Sequence, residues 1–196
     1  MREHPRFSDL LRVIKAARPH IVPWEGRVYR AVELAWARPD YLTSGEGTHQ
    51  HGGRWMHAGI VPVVHGALTE ALAVKESRRA FAYYGILKPR SNPRVSVEIE
   101  VRLGLVLNLC PVENVFSYLT KDELLLEDWE KVNGKGQETL AQAIGRAAWK
   151  SGLEGLLVPS ARDKRSRNLI WFPKSLRPAS GCNISGKNEL ENWIAE

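Results

Sequence analysis

The sequence lacks any apolar run approaching the length of about 18 residues that a membrane-spanning helix requires. Its first residues, MREHPRFSDLLRVIKAARPH, lack the apolar core and small-residue cleavage site of a secretory signal. It has only two cysteines, Cys110 and Cys182. That is too few for a disulfide framework or a thiolate metal site, and two reduced thiols of a cytoplasmic protein are expected. His49 and His51 stand two apart in a loop, without the further ligands a metal centre needs. No glycine-rich phosphate loop of either common type is present, and GKGQ at Gly134–Gln137 matches neither pattern. Internal repeats and low-complexity segments are also missing.

What remains is a basic chain of 196 residues with net charge +6 and 43% hydrophobic residues. That length predicts a single domain with a substantial core. The charge suits nucleic acid or a smaller polyanion such as a dinucleotide. The basic residues are scattered except for Arg162, Lys164, Arg165 and Arg167, a short cluster with no nucleic-acid motif beside it.

Periodicity predicts an amphipathic helix carrying Phe7, Leu10, Leu11, Ile14 and Ala17, with Ser8 as a possible cap and Pro19 and Pro23 beyond its end. This helix is expected to dock on its own domain. Residues 26–32 read as a strand, 38–59 as a Gly-, Pro-, Ser- and Thr-rich loop, and 62–65 as a short apolar strand. A helix follows over 68–81. Residues 92–109 alternate strictly, with Val95, Val97, Ile99, Val101 and Leu103 on one face. Helices are expected at 121–129 and 139–150, the second stopped by Gly152, with strands at 153–159 and 168–172. A polar tail after Pro178 ends in a candidate helix at 188–195. The chain divides into a helical extension (1–25), a main domain (26–178) and a tail (179–196). Strands bracket helices without a βαβα rhythm, so the fold class is α+β with a mainly antiparallel sheet flanked by helices.

One residue breaks the pattern. Leu68, Leu72 and Ala80 form an apolar stripe, and Glu76 falls in the same stripe. A carboxylate on an inward face is costly unless it is paired or used for chemistry. Arg30 closes the strand segment GRVYR. Arg54 and Trp55 end the glycine-rich SGEGTHQHGGRW, where backbone can approach a ligand and a guanidinium can fork onto phosphate. Ser160 follows the buried strand in GLLVPSA, and Asn168 opens the next strand. Arg30 could equally neutralise Glu76 inside the core, and Trp55 could be a core residue.

In this order, RVYR, SGEG…GGRW, PVV(H)…ALAVKE and GLLVPSA…N resemble the RES domain family, over roughly Gly26 to Pro173. The family is named for an arginine, a glutamate and a serine, which match Arg30, Glu76 and Ser160; Glu70 is the alternative glutamate. The resemblance implies a fold similar to ADP-ribosyltransferases. It also implies a toxin of a bacterial toxin–antitoxin pair that consumes NAD as substrate, by hydrolysis or phosphorolysis at the nicotinamide ribose. The implied partner is an Xre-like helix-turn-helix antitoxin that blocks the active site, and no cofactor is needed. By the same resemblance Arg30, Glu76 and Ser160 are the catalytic set, and Arg54, Trp55, His65, Asn168 and Tyr41 bind substrate. Glu76 would stabilise an oxocarbenium-like ribose, Arg30 and Arg54 would hold the pyrophosphate, and Ser160 would orient the ribose or Glu76. Asn168 would support the loop or hold adenine. His65 and Trp55 would stack on nicotinamide. The sequence departs from the family at His65, where a tyrosine is usual; an ordinary histidine there would titrate near neutral pH. Two other readings are an inactive RES-like binding module and a basic nucleic-acid-binding protein.

Overall fold

The computed structural model describes residues 1–78, 94–163 and 165–186. Helix α1 (Phe7–Ala16) leads into strand β1 (Ile21–Glu33). Two short helices follow, α2 (Pro39–Ser44) and α3 (Glu46–His51), then β2 (Val64–Ala67), α4 (Glu70–Ser77) and the long β3 (Arg94–Asn108). Three more helices, α5 (Lys121–Leu125), α6 (Trp129–Gly134) and α7 (Leu140–Lys150), precede β4 (Gly155–Pro159), β5 (Arg167–Trp171) and β6 (Gly181–Ile184).

The six strands lie in the order β1-β2-β5-β4-β3-β6, and β1 also pairs with β3. The sheet therefore curls back on itself. β1 runs along β3 from Ile21↔Leu107 to Glu33↔Arg94, but meets β2 at the single pair Tyr29↔Ala67. Among the described residues every strand pairing is antiparallel except β3–β4. This is the mixed architecture that the patterning predicts, with a mainly antiparallel sheet and flanking helices.

The alternation in β3 decides what lies inside. Val97, Ile99, Val101 and Leu103 are buried and pack with Val28, Leu42, Leu169 and Trp171 within the curled sheet. Beyond Gly104 the alternation stops, and Val106 and Leu107 are both buried. There the opposite face of the sheet is covered by helices. That second core joins Leu107, Leu156 and Phe172 to Ile144 and Ala147 of α7 and to Phe7, Leu10 and Ile14 of α1. Helix α1 thus docks on its own domain through the apolar stripe visible in its sequence, each such side chain contributing roughly 1.5–3 kcal/mol on burial. Helix α7 starts at a capping box, where the Thr139 side chain accepts from the Gln142 N–H, and it gives way to Gly152 at φ +76°.

Buried carboxylates tie the layers together. Glu138 forms a two-pronged bond with Arg146 (2.7 and 2.8 Å), whose guanidinium lies 3.4 Å from the Phe7 ring centroid. The N–H of His4 also donates to Glu138. Burial alone would raise the Glu138 carboxyl, but Arg146 and the His4 N–H hold it below its usual value. Glu154, fully buried, accepts from the N–H groups of Gly104 (2.6 Å), Leu105 (2.8 Å) and Arg177 (2.7 Å).

Several boundaries differ from the sequence reading. β1 begins at Ile21 and carries its ladder past Pro23, which has no N–H to donate, by a shift of register there. A division at 25/26 therefore falls inside a strand. Residues 38–59 are not all loop: α2 and α3 are separated by Gly45 in the left-handed region (φ +73°), and Gly52 ends α3. Residues 181–184, expected as tail, pair with β3 from Ile99↔Ile184 to Arg102↔Gly181. The candidate helix at 188–195, and Ala80 with the end of the 68–81 helix, lie outside the described residues.

Candidate active site

The site lies where β1 and β2 meet only once. Around that seam Arg30 comes from β1 and His65 from β2. Asn168 comes from β5, where it pairs with both Ala67 and Val158. Ser160 follows β4 directly. Helix α4, capped by Thr69, whose hydroxyl accepts from the Leu72 N–H (3.3 Å), carries Glu76 over the seam.

The helix rotation that sequence periodicity leaves open is settled by hydrogen bonds. The Ser160 hydroxyl donates to Glu76 Oε1 at 2.7 Å, and Asn168 Nδ2 donates to the same oxygen at 3.1 Å. Among the described residues Oε2 has no hydrogen-bond partner. Glu70 is exposed in the first turn of α4. Ser160 is 1% exposed and fully engaged, since its oxygen also accepts from the N–H groups of Arg162 (3.0 Å) and Asp163 (3.3 Å). A hydroxyl whose proton and lone pairs are all committed orients a carboxylate and is unsuited to attack.

Arg30 does not neutralise Glu76: among the described residues no ion pair joins them, and Arg30 Nη1 donates to the His65 carbonyl at 2.9 Å. Among the described residues Arg30 Nε is buried without a hydrogen-bond partner. Burial lowers the Arg30 pKa to about 10, with Tyr41 acting in the opposite direction, so the guanidinium stays charged at neutral pH. His65 departs from its expected behaviour. Burial first, then the charges of Arg30 and Arg54, push its pKa down to about 3, so the ring is neutral across the physiological range.

Arg30, His65, Glu76 and Asn168 line two adjoining cavities. One, of about 220 Å³, also has Tyr29, Gly66 and Ala73 in its wall. The other, of about 300 Å³, adds Thr48, Gly53, Arg54, Trp129 and Arg162. Arg54 is anchored by Nη1 to the carbonyls of Leu124 (3.4 Å) and Glu127 (3.1 Å). Trp55 borders the second cavity but is 2% exposed and packed in the helical core, so it serves as wall and offers no ring face for stacking. Tyr41 is outside both linings and stacks on Trp36 at 5.1 Å. The short basic cluster is divided: Arg162 faces this cleft, while Arg165 and Arg167 line a separate cavity of about 430 Å³ beside Lys121. A wider groove of about 510 Å³ between β1, β3 and β6 is walled by charges that pair with each other, as in Arg102–Glu25 (3.2 Å). Among the described residues no group of His, Cys, Asp and Glu is arranged to hold a metal ion.

Sequence reasoning missed Thr48, Trp129 and the role of Gly145. A Cβ on Gly145, inside α7, would collide with the Trp55 carbonyl oxygen. A glycine inside a helix costs about 1 kcal/mol, and here it lets the Arg54–Trp55 backbone lie directly on α7. The signal was available as an isolated glycine in a strong helical pattern.

The cleft therefore presents one carboxylate with an open oxygen, three guanidinium groups and a neutral imidazole. Such a set suits a ligand that is anionic in one part and develops positive charge in another. The family model of the RES domain matches residues 27–191. No curated protein matches the chain. Among solved structures, a chain of the M. tuberculosis MbcT–MbcA toxin–antitoxin complex is similar in fold, with a TM-score of 0.64 at 24% identity over 95% of this chain and 97% of that one. With the family match covering most of its length, the chain belongs to the RES domain family.

Proposed function

We propose that the chain is the toxin of a toxin–antitoxin pair and cleaves the nicotinamide–ribose bond of NAD. The observation that carries this reading is the Glu76 carboxylate, pinned through Oε1 by Ser160 and Asn168 with Oε2 unpartnered among the described residues, beside the guanidinium groups of the cleft. When the bond from C1′ to the pyridinium nitrogen breaks, its electron pair leaves with the nitrogen, which becomes neutral. Positive charge builds on C1′. A fixed carboxylate at the ribose hydroxyls stabilises that charge without having to reorganise. Water or phosphate then supplies the oxygen that bonds to C1′ and gives up a proton.

Arg30, Arg54 and Arg162 are suited to the pyrophosphate, since planar guanidinium forks match phosphate oxygens. Ser160 and Asn168 act through Glu76 as positioning residues. Asn168 donates one amide N–H to Glu76, and that contact is the role assigned to it. The partner is proposed by analogy with the toxin–antitoxin complex of similar fold; an Xre-like antitoxin occluding this cleft and a cytoplasmic setting both fit.

Incubation of the purified protein with NAD, with and without phosphate, tests the reaction. Release of nicotinamide with ADP-ribose identifies hydrolysis, and a phosphorylated ADP-ribose identifies phosphorolysis. Intact NAD under both conditions would refute the proposal and favour a binding module.

A further inference from the structure

Arg54 stands in a tight turn, in which the Gly53 N–H donates to the Met56 carbonyl at 2.8 Å. Both ends of that turn rest on one face of α7. Gln142 Nε2 donates to the Gly53 carbonyl at 2.9 Å, and Gly145, one turn further on, leaves room for the Trp55 carbonyl by lacking a Cβ. The Gly53 carbonyl belongs to the planar peptide unit that leads into Arg54, so Gln142 holds the plane from which the arginine departs. At the far end of the side chain, Arg54 Nη1 donates to the carbonyls of Leu124 and Glu127. The Glu127 carboxylate in turn accepts from the Leu140 N–H at 3.0 Å, in the first turn of α7. Backbone and guanidinium are therefore both referred to the same helix.

Gln142 is fully buried and its amide is completely used. Oε1 accepts from the Thr139 N–H (3.1 Å) and from Asn133 Nδ2 (2.8 Å), while Nε2 donates to Asn133 Oδ1 (2.8 Å) as well as to Gly53. The backbone fixes the orientation of both amides. The Thr139 N–H can only donate and the Gly53 carbonyl can only accept, so the Gln142 amide has one orientation. The Gln137 carbonyl, accepting from Asn133 Nδ2 at 2.9 Å, fixes Asn133 in the same way. A capping box needs only the glutamine oxygen, and here the nitrogen is spent on the cleft. Asn133 lies one turn from Trp129 on α6, so the same pair joins the two walls of the cavity of about 300 Å³, which Gly53, Arg54 and Trp129 line. We infer that Gln142, locked by Asn133, is the positioning residue for Arg54, holding its guanidinium in the cleft before the dinucleotide arrives. The inference rests on the reading of Arg54 as a pyrophosphate ligand. An arginine ordered in advance gives up little side-chain freedom on binding, which strengthens the ground state and the transition state alike. Losing that order therefore moves KM and not kcat.

Two variants test this: Gln142→Met, which keeps the length of the side chain without its amide, and Asn133→Ala, at a half-buried position. Denaturation first shows which of them fold, and N133A decides alone where Q142M does not. NAD kinetics give KM and kcat, and calorimetric titration gives the affinities for ADP-ribose and for nicotinamide. Q142M should raise KM for NAD and weaken ADP-ribose binding on the order of 10-fold, the cost of ordering one long side chain at the moment of binding. Its kcat should stay within about threefold of wild type, with nicotinamide affinity unchanged. N133A should move the same quantities in the same direction by less. A protein that is merely destabilised would instead lose folded fraction, which lowers the apparent kcat and leaves KM and the affinities alone. KM and ADP-ribose affinity equal to wild type in the folded variants would overturn the inference while leaving the NAD reaction standing. A wild type that binds no ADP-ribose would overturn it as well. ADP-ribose binding that weakens in the variants of a protein that leaves NAD intact would keep the positioning role and overturn the reaction.

Discussion

Replacing Ser160 by alanine separates a positioning serine from a chemical one. In the structure Ser160 Oγ makes three bonds: it donates to Glu76 Oε1 at 2.7 Å and accepts from the N–H groups of Arg162 and Asp163 at 3.0 and 3.3 Å. Alanine removes all three. The bond to a charged carboxylate is worth about 1.5–3 kcal/mol, and Asn168 still holds the same oxygen at 3.1 Å. Glu76 is then loosened but not lost. The expected fall in kcat is roughly 10- to 100-fold, at about 1.4 kcal/mol per tenfold, with little change in KM because the pyrophosphate contacts remain. Stability should drop by about 1–3 kcal/mol as two backbone donors near the surface lose their acceptor. Steady-state NAD turnover together with urea denaturation measures both. A nucleophilic serine would behave differently, since removing one costs about 10⁶-fold in kcat where this has been measured. Loss of activity on that scale in a folded S160A protein would refute the positioning role, and unchanged kcat would show that Glu76 is held by other means.

Arg146→Met should destabilise the protein by about 3–5 kcal/mol, because Glu138 is left charged and buried without its partner; chemical denaturation measures it. The same pair sets an acid limit. Glu138 is depressed in the folded state, so its contribution is complete above its unfolded value near 4.5 and is lost as pH falls from there through its lower folded value, which thermal melts carried from neutral pH to well below 4.5 will show. Gly145→Ala should cost more than 1 kcal/mol despite the better helix propensity of alanine, since its Cβ meets the Trp55 carbonyl; a Tm equal to or above wild type would contradict that packing. The kcat/KM profile between about pH 5 and 8 should carry no limb from His65, whose folded pKa is pushed down to about 3, and the profile of H65F should keep the same shape.

Much of the site was readable because its parts obey short-range rules. Glu76 stood out by breaking an apolar stripe, and Ser160 by following a continuously buried strand. Both positions depend on local periodicity, which a sequence displays directly. What the sequence could not show was which groups meet. The choice between Glu76 and Glu70 depends on helix rotation, fixed here by donors 84 and 92 residues away. Trp55 reads equally well as wall or platform until α7 is seen pressed on its backbone. Tyr41 sits in the right segment but turns to Trp36. The titration of His65 depends on burial and on two arginines distant in sequence, so residue type alone misleads. The fold follows the same division. Alternation gave β3 and helical spacing gave α1 and α7, whereas β6 was hidden because a four-residue strand in a polar segment is defined by its partner.

The most direct test of the central claim compares NAD consumption by the wild type and by Glu76→Gln, a change that keeps the side chain's shape and can still bond Ser160. Nicotinamide release is followed by NMR, with folding of both proteins verified by denaturation. The account predicts wild-type turnover and a loss of at least about 10²- to 10³-fold in the variant, the scale seen when one preorganised electrostatic group is removed. Wild-type turnover that survives intact in E76Q would contradict it.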